Sequence, residues 1–154
     1  MKAVIIVPSG HQELENVATV LQKGLKKHMK IKKSSIISLD VLDSTTFFLD
    51  NHVVLIGVPT VKGDIFWPLQ VKVDGLIHTV LKEDLSSILV SGFTFSDDLD
   101  ESTRNLEAIL WTFHETSAKV MNDGLHVLNS DNEGTIDQKI KEFLILLKTT
   151  VKEK

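Results

Sequence analysis

The sequence contains no cysteine and no tyrosine among its 154 residues. Without cysteine the chain forms no disulfides, thiolate metal sites or iron–sulfur clusters, and it has no cysteine nucleophile. The lack of disulfides is typical of the cytoplasm, where we expect the protein to reside. Apolar runs are far shorter than the ~18 residues that indicate a transmembrane helix. The first run is also shorter than the ~7–15 residues of a signal-peptide core. We therefore expect no membrane association.

Charge and motif content argue against several classes of function. The net charge of −4 does not favour nucleic acid as the main partner. The six histidines show neither HxxxH nor HExxH spacing, so no metal site is expected. Neither GxxxxGK[ST] nor GxSxG occurs, which leaves nucleotide hydrolysis and serine-hydrolase chemistry without support. The lysine-rich run 23–33 is interpreted as a solvated helix end, with a docking patch for an acidic partner as the alternative.

Apolar runs alternate with helical periodicity along the chain. Strands are predicted at 2–7, 32–40, 52–59 and 86–93, with two short apolar pieces within 118–129. Helices are predicted at 11–28, 65–81, 98–115 and 135–151, with a short helix or turn at 44–51. This alternation predicts one α/β domain over 1–154, a three-layer, doubly wound fold with a parallel sheet. At this length, five strands in the order 2-1-3-4-5 are expected.

The candidate site follows from this topology. Ligands of open parallel sheets bind beyond the carboxyl ends of the strands, where the strand order reverses. The loops that meet there read PSGHQE, GVPTVKGD and GFTFSDD. The first loop opens a helix, whose free N–H groups attract anions. A capping box between Ser9 and Gln12 explains the same residues without a ligand, so both interpretations stay open.

Two of these loops carry a family resemblance. The segment VVLIGVPTVKG resembles the GxPTYxG signature of flavodoxins and of flavodoxin domains in multidomain flavoproteins. The matching residues are Gly57, Pro59, Thr60 and Gly63. Val61 stands where that family usually has tyrosine. The first loop is similar to the family's S-x-T-G-N-T-E-x-V-A segment at Ser9, Glu15, Val17 and Ala18.

The resemblance implies a protein that binds FMN and carries electrons to or from a redox partner protein. It implies an electron carrier or a component of a flavin-dependent oxidoreductase, not a stand-alone hydrolase. The implied cofactor-binding residues are Ser9, Gly10, His11, Gln12, Glu13, Leu14, Pro59, Thr60, Val61, Lys62, Gly63, Gly92, Phe93, Thr94 and Phe95. Phe95 is the candidate for stacking on the flavin ring. Trp67 is expected either to cover the flavin or to lie in a homodimer interface.

The first loop departs from the family pattern. His11, Gln12, Glu13 and Leu14 stand where that family has Thr, Gly, Asn and Thr. Three hydroxyl or amide donors are lost, and a carboxylate stands where the phosphate is expected. At about 5 Å and an effective dielectric near 20, such like charges repel by several kcal/mol. An alternative hypothesis is therefore a flavodoxin-like scaffold without cofactor that acts as a binding or protein-interaction module.

Overall fold

The computed structural model describes residues 1–39, 49–62 and 65–152. Its strands are β1 (Lys2–Val7), β2 (Lys33–Ser38), β3 (Val53–Pro59), β4 (Leu89–Ser96), β5 (Lys119–Val120) and β6 (Leu125–Leu128). Its helices are α1 (Gln12–Met29), α2 (Trp67–Val80), α3 (Leu99–Trp111) and α4 (Glu133–Lys152), with a 3-10 turn at Thr112–Glu115. Most of the segment predicted as a helix or turn at 44–51 lies outside the described residues.

The strands form one parallel sheet in the order β2-β1-β3-β4-β5, which confirms the predicted topology. β6 pairs with β4 as well, further along that strand. Lys119 of β5 lies opposite Leu89, whereas Leu125 of β6 lies opposite Phe93. The fifth position of the sheet is therefore shared by two short strands, as the paired apolar pieces within 118–129 predict.

The core lies on both faces of the sheet. Every residue of β3 is buried, as expected for a central strand covered on both sides. Leu21 of α1 and Leu144 of α4 belong to the cluster on one face. Leu69 of α2 and Ile109 of α3 belong to the cluster on the other face. The helices thus form the two outer layers of a three-layer fold.

The start of α1 lies within one residue of the predicted one. The N-cap of α1 is His11, whose side chain makes no capping hydrogen bond. Gln12 Nε2 donates to Asn16 Oδ1 at 2.9 Å.

The other helix starts follow ordinary rules. Asp98 caps α3, its carboxylate accepting the backbone N–H groups of Asp100 and Glu101. Pro68 lies in the first turn of α2, where backbone N–H groups have no acceptor within the helix, so the N–H that proline lacks costs no hydrogen bond. None of the helices in the described part of the chain has the length and apolar character needed to span a bilayer.

Candidate functional site at the carboxyl edge of the sheet

The loops after β1, β3 and β4 meet at one edge of the sheet. β3 lies between β1 and β4 and runs parallel to both. Ile6 is opposite Ile56, and Pro59 at the end of β3 is opposite Phe95. Since parallel strands end on the same side, the residues after each strand converge there, as the topology predicts.

Two adjoining hollows open at this edge. The smaller, of about 140 Å³, is lined by His11, Glu13, Leu14, Pro59, Thr60, Val61 and Phe95. The larger, of about 340 Å³, is lined by Glu13, Thr60, Phe95, Ser96, Asp97, Asp98 and Glu101. Glu13, Thr60 and Phe95 belong to both walls. We call the two together the edge hollow; the volume of its larger part is at the low end of the range for small-molecule sites.

The hydroxyl of Thr60 has no partner among the residues that the structure describes. Its Oγ1 is buried, and it makes no hydrogen bond with any described residue. A buried hydroxyl without a partner costs about 1–3 kcal/mol. Because Thr60 lines the hollow, a rotation of its side chain would present this hydroxyl to a ligand's polar group, with which it can both donate and accept.

Phe95 supplies an aromatic surface beside that hydroxyl. It is the half-buried residue of β4, whereas the positions on either side of it are buried. Phe95 forms part of both walls of the edge hollow. An aromatic ring with one side packed and one side open is the arrangement on which a planar ligand stacks.

A buried asparagine that the sequence analysis missed holds the loop after β3. Asn105 of α3 is fully buried. Its Oδ1 accepts from Val61 N–H at 3.3 Å, and its Nδ2 donates to the Val61 carbonyl at 3.1 Å. Nδ2 also donates to the Glu101 carbonyl at 2.8 Å. The sequence offered one indication of this role: Asn105 is an amide at a core-facing position of an amphipathic helix, where side chains are usually apolar.

The loop before α2 closes against the start of α1. The ring of Phe66 meets the ring of His11 edge to face, with centroids 5.5 Å apart. Trp67, the next residue, is 64% exposed. Phe66, and not Trp67, therefore supplies the aromatic contact with the first loop.

Some predicted site residues lie at the edge but outside the hollow walls. Ser9, Gly10, Gln12 and Lys62 are exposed and line neither hollow. Gly10 has φ +82°, so it serves the turn between β1 and α1, a conformation that favours glycine. Gly63 lies outside the described residues.

Three other predicted residues belong to the interior, because β4 continues to Ser96 and not to residue 93. Phe93 is fully buried in the core cluster beneath α1 and α4. A Cβ on Gly92 would lie 2.6 Å from the Ile56 carbonyl oxygen, so this glycine permits close strand packing. Thr94 Oγ1 is 2.7 Å from His126 Nδ1. The assignment of Gly92, Phe93 and Thr94 to a ligand-binding loop is thereby corrected.

The edge hollow is acidic. Four of its wall residues are carboxylates: Glu13, Asp97, Asp98 and Glu101. Asp98 is occupied as the cap of α3. No lysine or arginine of the described residues lines either part of the hollow. Nor do three His, Asp or Glu side chains converge anywhere in the described ranges in a way that would hold a metal ion.

The two halves of FMN fit this hollow differently. The unpartnered Thr60 hydroxyl beside the Phe95 ring suits a planar ring with polar edges. The phosphate meets Glu13 instead of the hydroxyls and amides that the resemblance leads one to expect. At about 4 Å, two unit charges repel by about 1 kcal/mol in water and about 4 kcal/mol near a protein surface. The residues fit the ring of FMN and do not fit its phosphate.

Comparisons with known proteins agree with this architecture. No protein-family model matches the sequence, and no curated protein matches it. Oxidised flavodoxin 1 from Bacillus cereus is 16% identical, with a TM-score of 0.69 over 96% of this chain and 98% of that chain. Fusobacterium nucleatum flavodoxin bound to flavin mononucleotide is 11% identical, with a TM-score of 0.71 over 97% and 99%.

A longer protein contains the same fold as one part. Rubredoxin oxygen:oxidoreductase from Desulfovibrio gigas is 17% identical, with a TM-score of 0.70 over 99% of this chain and 36% of that chain. At these identities the likeness concerns the fold alone. The chain has a flavodoxin-like fold.

Proposed function

We propose that this chain is a flavin-binding electron carrier that works with a redox partner protein. One observation carries the proposal: Thr60, whose buried hydroxyl has no partner among the described residues, and the half-buried Phe95 line one hollow at the carboxyl edge of a flavodoxin-like sheet. FMN is the flavin that the sequence resemblance implies, and a structural neighbour is described as bound to it. The residues of the hollow wall support binding of the flavin ring and do not support binding of the FMN phosphate.

Each wall residue has a defined role in this proposal. A bound flavin would supply the redox chemistry. Phe95 would pack against one face of the ring and exclude water from it. Thr60 would pair with a polar edge of the ring through its free hydroxyl. Asn105 would hold the Val61 backbone in place through its two hydrogen bonds to that residue. This makes Asn105 a positioning residue.

The acidic rim bears on the choice of redox partner. Asp97 and Glu101 line the larger part of the hollow, close to where a flavin would exchange electrons. Negative charge around a docking site favours a partner with a positive surface and raises the rate of encounter. The association is expected to weaken as salt concentration rises.

Flavin fluorescence tests the proposal. Addition of the protein to a dilute flavin solution is expected to quench the fluorescence saturably, with a dissociation constant of about 1–100 μM. Phe95→Ala is expected to weaken binding about tenfold or more, because the stacking surface is lost. Trp111→Ala is the matched control, since Trp111 is exposed and lines neither part of the hollow. Equal affinities for wild type and Phe95→Ala would contradict the assignment of the site.

A cofactor-free binding module is the second candidate function. Glu13 in the hollow and the lack of a lining cation favour it. In that case neither riboflavin nor FMN changes its fluorescence at about 100 μM protein. The same titration therefore decides between the two functions.

A further inference from the structure

We propose that the edge hollow selects a flavin without a phosphate group, so that riboflavin binds more tightly than FMN. This inference rests on the proposed flavin-binding function and specifies its ligand. It follows from the balance of charge at the place where the two flavins differ. Both carry the same ring and the same polyol chain, and only FMN ends in a phosphate.

Negative charge in the hollow is uncompensated. Glu13 belongs to both parts of the wall. The carboxylates of Glu13, Asp97 and Glu101 form no hydrogen bond or ion pair with any described residue. A phosphate monoester brings about 1.5–2 further negative charges at neutral pH. An incoming FMN would thus meet like charges, and no lysine or arginine among the described residues lines the hollow to offset them.

No lysine or arginine of the described residues lines the hollow; Arg104 of α3 is three residues after Glu101, but it is exposed and lines neither part. Lys62 is exposed and lines neither part of the hollow. The first lysine of α1 is Lys23, eleven positions after Gln12, or about 16 Å along the helix axis. That is beyond the Debye length of about 8–10 Å at physiological salt. The segments 40–48 and 63–64 contain three aspartates and neither lysine nor arginine.

The positive end of the α1 dipole does not offset the negative charge of the hollow. Its first N–H groups carry the equivalent of roughly half a positive charge. Glu13 lies within that first turn and already faces the same dipole. The hollow therefore retains a net negative charge at the point where a phosphate would approach the helix.

A polyol suits the same carboxylates. Ionised carboxylates only accept hydrogen bonds, and each hydroxyl of a ribityl chain donates one. Hydrogen bonds to charged acceptors are shorter and stronger than neutral ones. Glu13 and Glu101 are thus arranged to bind a hydroxylated chain and to reject its phosphorylated form.

Parallel fluorescence titrations with riboflavin and FMN test the inference. Riboflavin is expected to bind about tenfold or more tightly than FMN at low salt. Added salt is expected to narrow the difference by strengthening FMN binding, because it screens the repulsion. Glu13→Gln is expected to strengthen FMN binding about fivefold or more, without strengthening riboflavin binding.

Glu15→Gln is the matched control. It removes one carboxylate from the same first turn of α1, but Glu15 lines neither part of the hollow. It is expected to leave the ratio of the two affinities within about twofold of wild type. FMN binding as tight as riboflavin binding, or an unchanged ratio in Glu13→Gln, overturns the inference and leaves the proposed function intact. If neither flavin binds, the proposed function itself fails and the inference fails with it.

Discussion

Thr60 is the residue at which stability and function oppose each other. Its buried hydroxyl forms no hydrogen bond within the described part of the chain. Thr60→Val removes that hydroxyl and keeps the shape of the side chain. We expect the free energy of unfolding to rise by about 1 kcal/mol or more, as measured by urea denaturation. Flavin affinity should fall roughly tenfold, because the ligand loses a hydrogen-bond partner.

Thr103→Val is the control for the Thr60→Val substitution. The Thr103 hydroxyl donates to the Leu99 carbonyl at 2.7 Å, so its removal gives up an existing hydrogen bond. This variant should show no gain in stability and no loss of flavin affinity. A Thr60→Val protein less stable than wild type would mean that the Thr60 hydroxyl already has a partner.

His126 gives the folded protein a pH dependence. Burial lowers the pKa of His126, the charge of Lys139 lowers it further, and Glu107 opposes the shift. Because the unfolded chain then binds the proton more readily, the stability that neutral His126 contributes is present above pH ~6.5. It is lost as the pH falls from there through the lower folded-state pKa.

Urea midpoints at several pH values between about 5 and 8 measure this contribution. His126→Gln should flatten the fall in stability below pH ~6.5 relative to wild type. Glutamine keeps a polar group near Thr94 and does not titrate. Parallel curves for the two proteins would show that His126 is not the group responsible.

At the residue scale the sequence predicted which residues reach the carboxyl edge of the sheet better than it predicted which side chains are buried. Thr60, Val61 and Phe95 were placed at the hollow because they follow strands that end at one edge. Phe93 and Thr94 were misplaced because pairing with β6 extends β4 to Ser96, opposite Leu128. That pairing joins residues about thirty positions apart, and no local pattern reveals it.

Among the helices, two interior glycines have opposite roles. A Cβ on Gly75 of α2 would meet no atom within 4 Å. A Cβ on Gly24 of α1 would lie 2.6 Å from Leu144 Cδ1, since α4 packs closely there. Gly75 thus weakens its helix without packing benefit, whereas Gly24 permits the contact between α1 and α4.

Alanine substitution separates these roles. Gly75→Ala should raise the free energy of unfolding by about 0.5–1 kcal/mol, through helix propensity alone. Gly24→Ala gains the same propensity but overpacks the α1–α4 contact, which costs about 1–3 kcal/mol, so a net loss is expected. Denaturant midpoints of the two variants provide the comparison. Equal stabilisation by both would show that Leu144 moves aside without cost.

The order and type of the helices and strands were predictable because the spacing of apolar residues along the chain reflects which side chains are buried. A strand buried on both faces, such as β3, is a continuous apolar segment in the sequence. A helix that packs on the sheet with one face, such as α1, has apolar residues at helical spacing. The starts of α1 and α3 were predicted to within one residue, whereas which side chain caps each helix depends on backbone geometry at one or two residues. His11 and Asp98 occupy those positions.

For the molecule as a whole, charge is unevenly distributed around a flavodoxin-like fold. Carboxylates surround the edge hollow, whereas the lysines of α1 lie in its second half. The sheet order fixes where a ligand binds. Side-chain charge then decides which ligand binds, and topology alone does not predict it. This is why the resemblance indicated the place of the site, while Glu13 and its acidic neighbours argue against the phosphate of FMN.

The central claim is that a flavin ring binds between Thr60 and Phe95. Backbone amide chemical shifts, followed by NMR while riboflavin is added, test it most directly. Large changes are expected at residues 13–14, 60–61 and 95–98, with small changes at the far end of α1. Shift changes that fall elsewhere, or no shift changes at saturating riboflavin, would contradict the claim.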